Sequence, residues 1–211
     1  MPRTGMEPIR RTALVEATIH EIGVSGTLDV PVSKIARRAG VSSALAHHYF
    51  GNKEQLFLDA MRHMLTLYAK EVRRGLSEVE GPRARLEAVV AAGFRPFNFQ
   101  REAIAAWLNF YVLAQTSVGA QRLLNIYHRR LHSTLVHDLR PLVGDEAPRI
   151  ARLVAALIDG LYLRHALLGD LTTGEEATWE VMHALDVALA ASTREQVAAP
   201  TPADIPDGDL Q

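Results

Sequence analysis

The sequence predicts an all-α protein: a small N-terminal head of one amphipathic helix and two short ones, followed by a larger C-terminal helical body. Three observations carry this. Apolar residues recur at helical rather than alternating spacing along nearly the whole chain, with no convincing hairpin or strand pattern. Gly and Pro punctuate it at intervals that suit helices of about 15–25 residues. The first quarter holds two short helical stretches joined at Gly40.

The elements follow in order. Leu14, Val15, Thr18, Ile19 and Ile22 share one side of an amphipathic helix from about Glu7 to Gly23, which Gly23 and Gly26 close. A short helix spans about Val32 to Ala39 and stops at Gly40. Ser42 caps a second one, about Ser43 to Phe50, by accepting from the free amides of its first turn. Lys53 opens a long helix with Leu56, Met61, Met64, Leu65 and Tyr68 on its buried side, fading between Ser77 and Gly81. Pro82 suits the first turn of a helix to about Phe94. Further helices run from Arg101 to about Thr116 and from Gly119 to near Pro141. Another starts around Asp145 to Pro148 and ends at Gly169, and the last covers about Glu175 to Val197. On these last two, Leu153, Leu157, Leu161, Val181, Leu185 and Leu189 recur at helical spacing, more apolar surface than a monomer of this layout is expected to cover. The expected division is a head at 1–53, a body at 54–197 and an acidic, Pro-rich tail at 198–211 expected to be disordered.

Composition narrows the function. The 211 residues are 48% hydrophobic and 22% charged, enough apolar material to bury a core. With no Cys, disulfides, iron–sulfur clusters and cysteine nucleophiles are excluded. No apolar run approaches the roughly 18 residues of a membrane span, and the N-terminus lacks a signal-peptide pattern, so a cytoplasmic location is expected. The overall charge of −1 hides an asymmetry: the first 53 residues carry net +3, the body −1 and the last fourteen residues −3. A basic head on a near-neutral body suits a nucleic-acid-binding module, although mildly basic faces also occur on proteins that bind none.

The stretch Val32 to Lys53 has the layout of a helix-turn-helix. Ala36 is small where two helices cross, and Gly40 supplies a turn conformation that side chains resist. Ile35, Ala39, Val41 and Phe50 form an apolar side, leaving Ser42, Ser43, Ala44, His47 and His48 on or near the outer face, free to enter a major groove. A helical hairpin inside a bundle is the other reading of the same spacing.

The run Ile35-Ala36-Arg37-Arg38-Ala39-Gly40-Val41-Ser42, then His48-Tyr49-Phe50 and Asn52-Lys53-Glu54-x-Leu56, resembles the DNA-binding head of the tetracycline-repressor (TetR) family over about residues 8–60. The resemblance implies a three-helix head, a ligand-binding body, and a homodimer paired through the last two long helices. Gly5 to Arg11, Ser43 to Phe50, Ala106 to Tyr111 and Asp159 to Arg164 are similar, further, to a subgroup of choline-responsive repressors of glycine-betaine synthesis genes. Ala46, His47 and Pro31 depart from residues common in the family. Carried across by motif, Ser42, Tyr49 and Lys53 match phosphate-touching positions, and Ser43, Ala44, His47 and His48 match positions facing base edges. Physical chemistry agrees for Lys53 beside a helix N-terminus and for the Ala44 methyl against thymine. Arg3, Arg10 and Arg11 are either further backbone contacts or solvated charges.

The resemblance also implies an effector pocket in the body, where the aromatics concentrate. Trp107, Phe110 and Tyr111 fall on one helical face. Core packing is the plain explanation for any one of them. A quaternary ammonium, however, has no N–H to donate and is held by aromatic faces and an acid, each face contributing about 0.5–2 kcal/mol. Trp107 and Tyr111 lead the candidates, with Phe97, Phe110 and Tyr127 beside them and Asp159 as charge partner; Asp159 could equally be exposed or paired with an Arg.

No nucleophile elbow, dinucleotide loop or phosphate-binding lysine motif is present, so no enzyme and no cofactor are expected. His128 and His132 have ligand spacing, but Arg129 stands where zinc proteases carry Glu, and no metal is expected. The reading is a homodimeric repressor of choline-to-betaine genes, binding double-stranded operator DNA and answering to choline. A repressor of the same fold with another effector, such as a polyamine, lipid or drug, is the alternative.

Overall fold

The structure, a computed structural model, describes residues 5–96, 98–168 and 173–198, the last four as backbone only. The elements are α1 (Met6–Ser25), α2 (Val32–Arg38), α3 (Ser43–Phe50), α4 (Lys53–Ser77), α5 (Pro82–Gly93), α6 (Arg101–Ala114), α7 (Val118–Val143), a 3₁₀ turn (Gly144–Glu146), α8 (Ala147–Leu168) and α9 (Gly174–Ala198). No strand occurs among the described residues.

Helix ends follow local chemistry. Gly26 takes the left-handed conformation (φ 66°) after α1 and donates its N–H to Ile22 at 2.9 Å. Ser42, Asn52 and Ser117 each cap the following helix, accepting from Leu45, Gln55 and Ala120. Pro82 occupies the first turn of α5. As expected, α7 stops near Pro141, running two residues past it to Val143. A proline removes one donor, and so close to the C-terminus little of the helix depends on it. The interruption comes instead at Gly144 (φ 56°).

Side chains pack into two apolar clusters. The first joins Leu14, Ile22, Ile35, Ala46 and Phe50 of the head to Leu56, Met61 and Met64 of α4 and to Ala106, Trp107 and Phe110 of α6. The second unites α5, the later half of α7, α8 and α9 through Leu86, Val90, Leu135, Leu139, Ile150, Val154, Val181 and Leu185. The packing therefore divides differently from a cut at 53/54, because α6 belongs largely with the head. Gly23 makes that possible: a Cβ there would stand 2.4 Å from the backbone oxygen of Glu102, so α1 meets the first turn of α6 only without a side chain.

The last two long helices also correct an expectation. Of the apolar residues that look surplus to a monomer, Leu161, Val181 and Leu185 are buried within its core, and Leu157 and Leu189 pack against it. The large apolar side chains left uncovered on these helices are Leu153, Leu163, Leu167 and Leu168 on α8, and Trp179 and Val187 on α9. Most of the tail, 199–211, lies outside the described residues.

Candidate DNA-reading helix and aromatic effector site

The turn between α2 and α3 is built on Gly40 (φ 69°) and closed by the Val41 N–H donating to the Ala36 carbonyl at 3.0 Å. Ala36 and Ala46, both about 1% exposed, let α2 and α3 approach the head's core. The opposite face of α3 is open: Ala44, His47 and His48 are exposed, Ser43 and Tyr49 half-buried, and Ser42 exposed at the cap. The ring of Tyr49 leans on His48 (5.7 Å between centroids). Lys53, in the first turn of α4, reaches over the Phe57 ring at 5.5 Å and stands 3.6 Å from the fully solvated Asp29. Such an exposed pair is weak, so the ammonium remains available to a phosphate.

Other basic residues of the head are engaged internally. Glu21, buried in α1, takes Lys34 at 2.7 Å and Arg38 at 2.5 Å, and these hydrogen-bonded cations hold its carboxyl below the usual range against the opposing effect of desolvation. Arg11 donates to the Tyr49 carbonyl at 2.7 Å, pairs with Asp59 at 3.2 Å and covers the Phe50 ring at 4.6 Å. It fastens α3 to α1 and α4. Arg37, exposed at the end of α2 and without an acidic partner among the described residues, is a phosphate candidate that charge counting did not single out. Arg3 lies outside the described residues.

In the body, α6 brings Trp107 and Tyr111 to Tyr127 and His128 of α7. Trp107 stands 5.5 Å from Tyr127 and 6.4 Å from Tyr111, and Tyr111 stacks on His128 at 6.2 Å. Tyr68 of α4 meets Tyr127 edge-on at 5.5 Å. The Tyr111 hydroxyl donates to Asp159 of α8 at 3.1 Å. Burial pushes the Asp159 carboxyl up, opposed by that hydrogen bond and by the nearby His128. Burial likewise raises Tyr68, Tyr111 and Tyr127, keeping their hydroxyls protonated.

Of the effector candidates that the sequence offers, Trp107, Tyr111, Tyr127 and Asp159 converge here; Phe110 does not. It is fully buried in the cluster shared with the head, among α1 and α4 side chains. Phe97 lies outside the described residues. Asp159 is neither exposed nor paired with an arginine. Tyr68, expected on the buried side of α4, and His128, singled out only for its spacing to His132, also join the group; nothing in the spacing along α4 and α7 says which residues face each other. His128 stacks on aromatic rings, and no group of three or more His, Asp or Glu able to hold a metal occurs among the described residues. Nor is any helix among them long and apolar enough to cross a membrane.

Residues 14–60 match the family described as bacterial regulatory proteins, tetR family, and residues 82–190 match the BetI-type transcriptional repressor C-terminal domain. The chain is 51% identical over 178 residues to the HTH-type transcriptional regulator BetI of Brucella anthropi, covering 84% of this chain and 92% of that one. It is 52% identical over 168 residues to BetI of Agrobacterium fabrum, covering 79% and 82%. Among solved structures, a transcriptional regulator from Pseudomonas aeruginosa superposes with a TM-score of 0.78 at 26% identity, covering 91% of this chain and 96% of that one. A regulator from Saccharomonospora viridis, solved in complex with choline, has the same fold, with a TM-score of 0.76 at 21% identity and coverage of 85% and 97%. A helix-turn-helix with an open outer face, joined to a helical body that matches the BetI-type domain from α5 into α9, leaves one assignment: the chain belongs to the TetR family, as a BetI-type transcriptional repressor that binds DNA and is not an enzyme.

Proposed function

We propose that the protein represses choline-to-glycine-betaine genes and is released from its operator by choline. The observation that carries the effector is the Tyr111–Asp159 pair set among Trp107, Tyr127 and His128. It combines a half-buried acid with aromatic faces, which is the chemistry a quaternary ammonium requires. Names and contents of relatives support it: BetI for those about half identical, and choline bound in the Saccharomonospora structure. In this reading Ser42, Tyr49 and Lys53 touch phosphates, while Ser43, Ala44, His47 and His48 face base edges. The protein acts as a homodimer through α8 and α9, whose uncovered stripe of Leu153, Leu163, Leu167, Trp179 and Val187 would otherwise lie in water.

The rings stand at the spacing of packed aromatic neighbours, 5.3–6.4 Å between centroids. A trimethylammonium group enters only by displacing one of them. Trp107 is part of the apolar cluster that also holds α1 and α4, so its displacement is felt directly in the head.

Calorimetry and operator gel shifts with choline on the parent and on Trp107→Phe and Asp159→Asn test this. Choline binds the parent and releases operator DNA; Asp159→Asn loses choline binding while keeping operator affinity, and Trp107→Phe weakens it. In the parent, choline affinity falls as pH drops through the raised Asp159 value, because the neutral acid no longer pairs with a cation. A parent indifferent to choline but released by another cation or a drug overturns the effector assignment and leaves the family.

A further inference from the structure

Beside the aromatic group, and lined in part by Tyr68 and Tyr127, an open groove of about 740 Å³ separates α4 and α7. Its walls and floor are mostly apolar, with Leu65, Val72 and Leu76 from α4, Val89 from α5, and Leu123 and Ile126 from α7. Its rim is basic. Arg62, Arg73, Arg129 and Arg130 all line it, and no acid among the described residues does. Arg62 is taken up by Asp59, but Arg73, Arg129 and Arg130 have no acidic partner within 4 Å among the described residues.

This chemistry is opposite to that of the neighbouring aromatic group. Three uncompensated guanidinium groups repel a quaternary ammonium, so the groove is ill-suited to admit or hold choline. A nucleic-acid phosphate would find the arginines but no use for the apolar floor. Arginine forks above an apolar trough match a carboxylate on an alkyl chain: the head forms charge-assisted hydrogen bonds and the chain covers the leucines. Length permits it, since Arg62 and Arg73 are about 16 Å apart along the helix axis, enough to contain an extended chain of about ten to twelve carbons.

We propose that the α4–α7 groove is a second ligand site, adjoining the aromatic one at Tyr68 and Tyr127 but without Trp107, Tyr111 or Asp159, that binds a free medium-chain fatty carboxylate. Such a ligand lies against α4, the helix whose first turn belongs to the head.

Calorimetry on the full chain with decanoate, below its micelle concentration, tests this. Saturable binding of one decanoate per chain is expected, with 1-decanol at least about tenfold weaker because it cannot engage the arginines. Arg73→Glu/Arg130→Glu, both on the exposed rim, should abolish decanoate binding while leaving choline titration and helical circular dichroism as in the parent. Ile126→Trp, which fills the floor without touching charge, should weaken decanoate independently. Four results overturn the proposal: no saturable binding, equal affinity for decanol, undiminished affinity in the charge-reversed protein, or binding to phosphatidylglycerol vesicles without binding to free decanoate. Choline is titrated in parallel, so failure of the aromatic site leaves this result standing, and the reverse holds too.

Discussion

If α3 reads DNA as proposed, two residues of the head make separable contributions. Lys53 offers a point charge at a helix start, so Lys53→Ala should weaken binding to every DNA sequence alike and flatten the salt dependence by about one phosphate unit. His47 stands on the exposed face of α3, and His47→Ala should instead change which operator bases are preferred. Gel shifts over a salt series and a panel of operator variants separate the two; if both proteins behave like the parent, α3 is not the reading helix. Glu21 gives a pH test. Its folded value is depressed, so its stabilisation is present above the unfolded carboxyl range near about 4.3 and is lost as pH falls through the lower folded value. Glu21→Gln should cost about 1–2 kcal/mol at pH 7, modest because Lys34 and Arg38 are nearly half exposed, and the gap to the parent should close on acidification in denaturant melts. The face of α3 was legible in the sequence because caps, the Gly40 turn and a three-to-four-residue period fix a short helix locally. The roles of Glu21 and Arg11 were not, since their partners lie 13 to 48 residues away.

At the scale of elements, helix order and nearly every boundary followed from Gly, Pro and cap residues, whereas the pairing of helices did not. Periodicity says that a helix has an apolar side but not which helix covers it. That is why Leu161, Val181 and Leu185, which look surplus along the chain, prove to be core, and why Trp179 rather than a leucine marks the uncovered face of α9. The same limit hid the seam between α1 and α6. The sequence points to α4 as the link between head and body, with its first turn at Lys53. The structure adds two fastenings: the Ser117 hydroxyl donates to Glu54 at 2.6 Å, and α1 rests on α6 at Gly23. In an ordinary exposed helix Gly→Ala stabilises by up to about 1 kcal/mol. At Gly23 the added methyl meets backbone, which cannot swing aside, so Gly23→Ala should instead destabilise by about 1–3 kcal/mol. A thermal or denaturant melt that moved upward would show that the two helices are not in contact as described.

For the whole molecule the question is how a small cation reaches a DNA groove. A ligand shifts the protein off DNA only by binding the DNA-incompetent arrangement more tightly than the competent one. In the proposed dimer, pairing across α8 and α9 would make a change within one chain matter, because two heads must match successive major grooves about 34–36 Å apart. Leu163→Glu/Leu167→Glu, placed on the uncovered stripe, should therefore give a folded monomer by light scattering with greatly weakened operator binding, while a parent that runs as a monomer at micromolar concentration would remove the dimer altogether. If the dimer and the proposed choline site both hold, displacement of Trp107 would move α6, and α6 would carry α1 through the Gly23 seam, so that the heads change separation without any break in the core. Coupling of this kind is usually about 1–3 kcal/mol, a factor of roughly 5–150, and it is reciprocal. Choline affinity measured with operator DNA in saturating amount must be weaker than without it, by the same factor by which choline weakens operator affinity. Equal choline affinities in the two conditions, in a protein that choline nonetheless removes from DNA, would mean that release comes from competition or a different site rather than from this linkage.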